Sequence, residues 1–329
     1  MDRNFLNIFS DYQEITLRYD AEHRAIWCYY KPSFRPCFSL RMLQELRQMQ
    51  QGIMDYFQQK NPDADSLIHY QVLHSQIPGV FSMGGDLALF SQAIREKDRE
   101  TLHKYALQCI DNLYLNSVNL RLPLTTISLV EGDALGGGFE CALSSNVLIA
   151  TENARFGFPE IRFNLFPGMG AYSFLARNCG MVVTERLLTS GETYSAKELY
   201  DMGIIHHLGE PDRGVECVED FMRQHRHAGN SLRALQMVRQ RYHPLEYQEL
   251  VDITEIWVEA ALRVTEKDLR LIDRLVKVQS AKIRKGLALL RTKQDRRFNT
   301  EQTTFPLKDW SGKTILHDRR KNLDRRLRN

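Results

Sequence analysis

Strand and helix patterns alternate along the first two thirds of this chain, and this alternation limits the possible folds more than any other feature. Residues 14–30 alternate apolar and polar as in a strand hairpin, and 124–130 and 146–151 have the composition of buried strands. Helical spacing occupies 39–59 and about 93–118. The pattern is typical of an α/β domain, in which helices cover a sheet.

The strand pattern ends near residue 215, and amphipathic helical patterns follow it at 231–242, 245–264 and 266 to about 290. We therefore expect three parts: an α/β core at 1–215, a helical C-terminal region at 216–291 and a basic, flexible tail at 292–329.

Charge is distributed unevenly along the chain. The 329 residues carry 44 Lys and Arg against 41 Asp and Glu, a net charge of +3. Residues 282–329 alone hold 15 basic and 5 acidic side chains, so the remainder is mildly acidic. Nucleic-acid binding normally needs a basic face together with a recognition fold. Only the tail is basic here, and we expect no nucleic-acid partner.

The cysteines and histidines indicate a reducing compartment and no metal site. The six cysteines form no C-x-x-C pair, and the N-terminus lacks the basic and apolar regions of a signal peptide. No apolar run reaches the ~20 residues that span a bilayer. His206, His207, His225 and His227 lack the further ligands of a recognisable metal set, so we expect exposed histidines. These features predict a cytoplasmic protein.

Two glycine clusters each follow a predicted strand. The first is FSMGGD at 81–86, and the second is GGGFE at 136–140. Glycines expose backbone N–H groups, and a helix N-terminus adds partial positive charge, which suits a phosphate or a developing oxyanion. Glu140 follows the second cluster, and Glu160 lies in a later FPE segment. Two carboxylates facing one cavity could form an acid/base pair.

Simpler explanations of these motifs remain open at this point. The second cluster matches neither of the phosphate-binding glycine motifs, and three glycines after a strand often form only a tight turn. A Pro-Glu pair commonly begins a surface helix. Residue spacing by itself therefore indicates no more than a candidate acid/base enzyme.

Four motifs in this order resemble the enoyl-CoA hydratase, or crotonase, superfamily: FSMGGD, GGGFE, FPE at 158–160 and PGMG at 167–170. The resemblance covers about residues 14–280 and implies the crotonase fold, a spiral of repeated ββα units with a helical C-terminal part. Further segments, among them LFPGMGAYSF at 165–174 and TEIWV at 254–258, are similar to the diffusible-signal-factor synthases. That subfamily dehydrates a 3-hydroxyacyl-acyl-carrier protein and hydrolyses the thioester, releasing a cis-2-unsaturated fatty acid used in quorum sensing.

The resemblance also implies a set of site residues. Gly85 and Gly137 would donate backbone N–H groups to the thioester oxygen, and Glu140 and Glu160 would divide the proton transfers. The substrate-binding residues would be Gly136, Phe139, Met169 and Trp257. No cofactor is expected, since the acyl thioester is the substrate. A homo-oligomer, either a trimer or a hexamer, and a regulatory protein partner are further expectations.

One departure from the family bears on the carrier. Many CoA-using members have a lysine where this chain has Ala88, which weakens the case for binding of the CoA phosphates and is compatible with an acyl-carrier protein. Arg95, Lys97 and Arg99 could meet the acidic surface of such a carrier, or they could form a solvated helix face. The alternatives to a carrier-protein dehydratase with thioesterase activity are an enoyl-CoA hydratase and a catalytically silent, partner-binding domain.

Overall fold

The computed structural model describes residues 3–32, 36–59, 66–297, 307–308 and 314–315, with side chains up to residue 281. The strands are β1 Ile15–Asp20, β2 Ala25–Tyr30, β3 Tyr70–Ser75, β4 Val80–Ser82, β5 Thr125–Val130, β6 Asp133–Leu135, β7 Val147–Thr151, β8 Arg155–Gly157, β9 Thr193–Ser195, β10 His207–Gly209, β11 Leu307–Lys308 and β12 Thr314–Ile315.

The helices in the first half of the chain are α1 Arg3–Asn7, α2 Leu40–Gln58, α3 Leu87–Glu96, α4 Arg99–Ser117 and α5 Gly137–Leu143. Those in the second half are α6 Ala171–Cys179, α7 Met181–Ser190, α8 Ala196–Asp201, α9 Gly214–Gln224, α10 Gly229–Tyr242, α11 Tyr247–Leu262 and α12 Glu266–Arg297. Two short 3₁₀ helices occupy Asn119–Arg121 and Pro159–Phe163.

Two sheets organise the α/β part. The larger has the strand order β1-β2-β3-β5-β7-β10, and its strands are parallel except for the predicted hairpin of β1 and β2. The smaller has the order β4-β6-β8-β9. Along the chain, β3, β5 and β7 each precede a strand of the smaller sheet and then a helical segment. The predicted repeat of strand–strand–helix units is confirmed.

Both faces of the larger sheet are buried at its central strands. β5 and β7 have no exposed residue, as expected for parallel strands covered on both sides. One face packs Trp27, Ile127 and Ile149 against Phe221 of α9. The opposite face belongs to a larger apolar cluster that includes α2, α4 and α5. The candidate site lies within this larger cluster.

The helix predicted over 93–118 is two helices in the structure. Lys97 has a φ of +55°, in the left-handed region, which ends α3. The side chain of Asp98 then accepts the Thr101 N–H at 3.0 Å and caps the first turn of α4. The apolar pattern continues across this break, so spacing alone did not reveal it.

The chain divides into two compact units, Met1–Gly286 and Leu287–Asn329. In the first unit, the helices after residue 215 belong with the α/β part. In the second, β11 pairs antiparallel with β12. The boundaries expected at residues 215 and 291 stay predictions, and most of the basic tail lies outside the described residues.

Candidate active site

A mostly apolar cavity lies beside the smaller sheet. Its walls come from α2, α4 and α5, from the segments that follow β4, β6 and β8, and from the side of α12 near residue 278. Gly85, Gly136, Gly137, Glu140 and Glu160 all line it. The structure therefore brings together in one cavity the residues that the sequence motifs single out.

Two backbone N–H groups lie side by side at one end of this cavity. Gly85 precedes α3, and Gly137 is the first residue of α5, where the N–H has no acceptor within the helix. A Cβ placed on Gly137 would lie 3.3 Å from the Gly85 nitrogen. The hydrogen bonds found among the described residues engage neither N–H. Such a pair can bind one oxyanion.

Gly136 allows a carboxylate to approach the backbone. Its φ of +52° and ψ of −125° suit only glycine. A Cβ at this position would collide with Oε1 of Glu160. The absence of a side chain at Gly136 therefore lets the Glu160 carboxyl lie against the turn that precedes α5.

Glu140 is fixed by backbone donors. Its side chain is 1% exposed, and Oε1 accepts the N–H groups of Met169 at 2.8 Å and Ala171 at 3.1 Å. Burial raises the pKa of this carboxyl to about 7, while the two hydrogen bonds act in the opposite direction. The remaining oxygen, Oε2, is available for proton transfer.

Glu160 has a less polar environment. It lies in the 3₁₀ helix after β8, and its buried Oε2 has no hydrogen-bond partner among the described residues. Burial, followed by the charge of Glu140, raises the pKa of this carboxyl to about 8. Because both carboxyls have raised pKa values and repel each other when ionised, the pair carries a single proton near neutral pH. The cavity then contains one acid and one base.

The predicted substrate-binding residues do not all reach the cavity. Gly136, Met169 and Trp257 lie on its wall. Phe139 is not among the lining residues: its side chain is fully buried and stacks on Phe158, with ring centroids 4.9 Å apart, and its role in substrate binding stays a prediction. Adjacent helical residues point in directions about 100° apart, so Phe139 lies off the α5 face that carries Glu140.

Tyr105 is a positioning residue that the sequence motifs did not indicate. Its hydroxyl donates to the Phe38 carbonyl at 2.5 Å and accepts the Asp86 N–H at 3.1 Å. These bonds hold the segment next to Gly85. A single tyrosine within a helical pattern gives no signal of this contact, which joins residues far apart in sequence.

The cations considered for carrier binding have partners within their own chain. Arg95 pairs with Asp273 at 2.7 Å and Glu266 at 3.3 Å, and Arg99 pairs with Glu255 at 2.5 Å. Lys97 donates to a main-chain carbonyl in α11. These three residues join α3 and α4 to the C-terminal helices.

The expectation of exposed histidines is wrong for His206, His207 and His225, which are all partly buried, and His206 shows the physical reason most clearly. Its side chain is partly buried, and Nδ1 accepts the Leu148 N–H at 3.1 Å. Burial lowers the pKa of this imidazole to about 4. Over the part of the chain that the structure describes, no three His, Cys, Asp or Glu side chains could share a metal ion. None of the described helices is both long and apolar enough to cross a membrane.

The fold matches that of solved enoyl-CoA hydratases. The crystal structure of enoyl-CoA hydratase from Bacillus halodurans aligns with 79% of this chain and 98% of its own, with a TM-score of 0.64 and 21% identity. An enoyl-CoA hydratase/isomerase from Xanthobacter autotrophicus Py2 aligns with 88% of this chain and 100% of its own, at a TM-score of 0.64 and 19% identity. Together with the ββα repeats, these matches define a crotonase fold.

The family follows from the sequence comparison. The family model for enoyl-CoA hydratase/isomerase matches residues 46–298, and the chain belongs to this family. Mouse mitochondrial methylglutaconyl-CoA hydratase is 28% identical over 152 residues, 46% of each chain. The short-chain-enoyl-CoA hydratase of Clostridium acetobutylicum is 38% identical over 109 residues, 32% of this chain and 42% of its own. The chain thus spans about half the length of such curated relatives.

Proposed function

We propose that this protein dehydrates a 3-hydroxyacyl-acyl-carrier protein to the cis-2-enoyl thioester and then hydrolyses the thioester, releasing a cis-2-unsaturated fatty acid. The observation that carries the proposal is the pair of glutamates, buried Glu140 and partly buried Glu160, in one cavity beside the adjacent N–H groups of Gly85 and Gly137. An acid, a base and an oxyanion site are the groups that elimination next to a thioester carbonyl requires.

Dehydration uses all four groups. The ionised carboxylate removes the proton α to the thioester, and negative charge develops on the carbonyl oxygen. The N–H groups of Gly85 and Gly137 stabilise that charge. The protonated carboxyl donates its proton to the β-hydroxyl, the C–O bond breaks, and water leaves. One proton has then passed to the base, and one has left the acid.

Hydrolysis can use the same groups with a water molecule as the nucleophile. A carboxylate accepts a proton from water while the oxygen attacks the thioester carbonyl, and the same two N–H groups bind the tetrahedral oxyanion. The protonated carboxyl then donates to the departing sulfur. The products are a free acid and the thiol of the carrier.

The cavity wall suits a fatty acyl group, and one sequence feature supports a carrier protein rather than CoA. The cavity wall is largely apolar, as the chain of a fatty acyl group requires. Ala88 stands where many CoA-using members of the family have a lysine. The salt bridges of Arg95 and Arg99 within the chain give no support to a direct role for these cations in carrier binding.

An enoyl-CoA hydratase is the second candidate. It needs the same glutamates and N–H groups but no hydrolysis step. The family match and the names of the relatives, which include methylglutaconyl-CoA and short-chain-enoyl-CoA hydratases, favour CoA thioesters. The two candidates differ in carrier and in whether free acid appears.

The deciding experiment is mass spectrometry of the products from 3-hydroxydodecanoyl-carrier protein and, separately, from the matching CoA thioester. Glu140→Gln and Glu160→Gln should abolish both reactions, because each removes one member of the acid/base pair. Glu152→Gln is the matched control, since Glu152 is exposed and does not line the cavity.

Each outcome selects one function. Free cis-2-enoic acid from the carrier-protein substrate supports the proposal. Reversible hydration of the enoyl-CoA with no free acid supports the second candidate. No product from either substrate contradicts both and favours the catalytically silent, partner-binding domain.

A further inference from the structure

One face of α4 follows the cavity away from the oxyanion end. Tyr105, Cys109, Asn112 and Asn116 line the cavity at helical spacing. Tyr105 marks the near end because its hydroxyl accepts the N–H of Asp86, next to Gly85. At 1.5 Å per residue, Asn112 lies about 10 Å further along the helix axis. Position along α4 therefore corresponds to distance from the oxyanion end of the cavity.

Polar side chains join the cavity wall at that depth, beside apolar ones such as Leu113. Gln50 of α2, Asn112 and Asn116 of α4, and Ser144 of α5 all line the cavity there. Asn116 is fully engaged: its Nδ2 donates to Ser144 at 2.9 Å, and its Oδ1 accepts from Gln71 at 3.1 Å. Gln50 and Asn112 are not, and we call this pair the polar stop.

Both amides of the polar stop are fixed, and each has an unused oxygen. Nε2 of Gln50 donates to the main-chain carbonyl of Asn112 at 3.0 Å. Nδ2 of Asn112 donates to the main-chain carbonyls of Leu43 and Gln108 at 3.1 and 2.8 Å. These donors orient the amide groups. Oε1 of Gln50 and Oδ1 of Asn112 are buried without a partner among the described residues, in side chains only 3% and 5% exposed.

Buried acceptors of this kind need a hydrogen-bond donor. A water molecule supplies two donors and can satisfy both oxygens, whereas an alkyl chain supplies none. Leaving one buried oxygen unpaired lowers affinity about tenfold. Each further buried methylene raises affinity only about fourfold. Extending a chain into the polar stop is therefore unfavourable for the first few methylenes.

We propose that Gln50 and Asn112 hold water at the inner end of the acyl cavity and set the longest acyl chain that the protein accepts. This inference rests on the proposed function only in taking the cavity as the site of an acyl chain. The binding of fatty acids can test the inference independently of catalysis.

The experiment measures the dissociation constants of straight-chain fatty acids from hexanoate to palmitate, and then turnover of the matching carrier-protein thioesters. The variants are Gln50→Met and Asn112→Leu, which replace each amide by an apolar group of similar size. Gln108→Leu is the matched control, because Gln108 also lies on α4 with an unpartnered amide oxygen but does not line the cavity.

In the wild type, affinity should rise with chain length up to a limit and then fall. In either cavity variant, the limit should move to longer chains, with at least tenfold tighter binding of the first acid beyond the wild-type limit. Gln108→Leu should leave the limit unchanged. Asn112→Leu removes two hydrogen bonds to main-chain carbonyls, so if it does not fold, Gln50→Met decides, since it keeps both bonds.

The inference is overturned if neither folded variant moves the limit, or if the wild type binds no acid of any length. It is also overturned if an ω-hydroxy acid binds more tightly than its unsubstituted counterpart, because the oxygens would then recognise the ligand itself. A length limit that moves as expected, in a protein without turnover, supports the polar stop and contradicts the proposed function.

Discussion

Replacing Glu140 by glutamine should stabilise this protein at neutral and alkaline pH. Glutamine keeps an oxygen that can accept the Met169 and Ala171 N–H groups, so the two hydrogen bonds can survive. What the substitution removes is the buried negative charge. Burial is the main reason that the pKa of Glu140 is raised.

The size of the effect follows from that pKa. The Glu140 carboxyl titrates at about 4.5 when the chain is unfolded and at about 7 when it is folded. Below pH 4.5 it is protonated in both states and no penalty applies. Between these values the unfolded state loses its proton first, so wild-type stability falls as the pH rises. The penalty reaches about 3 kcal/mol near pH 8, at 1.36 kcal/mol per pKa unit, and repulsion from Glu160 adds to it as that second carboxyl ionises at higher pH.

Urea unfolding followed by tryptophan fluorescence would measure this difference, since Trp27 and Trp257 are both buried. The unfolding free energy of Glu140→Gln minus that of the wild type should be near zero at about pH 4.5 and grow to about 3 kcal/mol at about pH 8. Glu152→Gln, at an exposed site, should show no such growth. A difference that stays constant with pH would refute the raised pKa of Glu140.

Three further outcomes are expected. The kcat/KM should be bell-shaped in pH, with limbs near 7 and 8, because the pair must hold one proton; a flat profile would contradict the Glu140–Glu160 assignment. Gly137→Ala should lower kcat/KM by about 100- to 1000-fold with an unchanged circular dichroism spectrum, because its Cβ would lie 3.3 Å from a neighbouring donor nitrogen. Arg177→Met breaks a 2.7 Å ion pair with Glu249 and should lower the unfolding free energy by about 2 kcal/mol; a loss within the error of urea titration would contradict this.

The site could be anticipated from the sequence because each of its parts follows a strand. Gly85 comes after β4, Gly137 after β6 and Glu160 after β8. These three strands are parallel neighbours in the smaller sheet, so their carboxyl ends meet at one edge. Local patterns that predict strand ends therefore also predict which residues come together.

Other features depend on contacts that local patterns do not contain. The motif at 136–140 contains Phe139, but the direction of its side chain depends on where α5 packs. The partners of Arg95 and Arg99 lie more than 150 residues away in sequence. The unpaired oxygens of Gln50 and Asn112 become visible only when α2 and α4 are packed together.

A pair of carboxyls that shares one proton suits a reaction with two consecutive steps. In the proposed dehydration, the base gains a proton from the α carbon and the acid gives its proton to the leaving hydroxyl, so the two groups exchange states. In hydrolysis, the group left ionised accepts a proton from water, and the group left protonated donates to the departing sulfur. The second step thereby restores the distribution with which the first began. Loss of either Glu140 or Glu160 should therefore remove both activities together, and the two steps should share one pH profile.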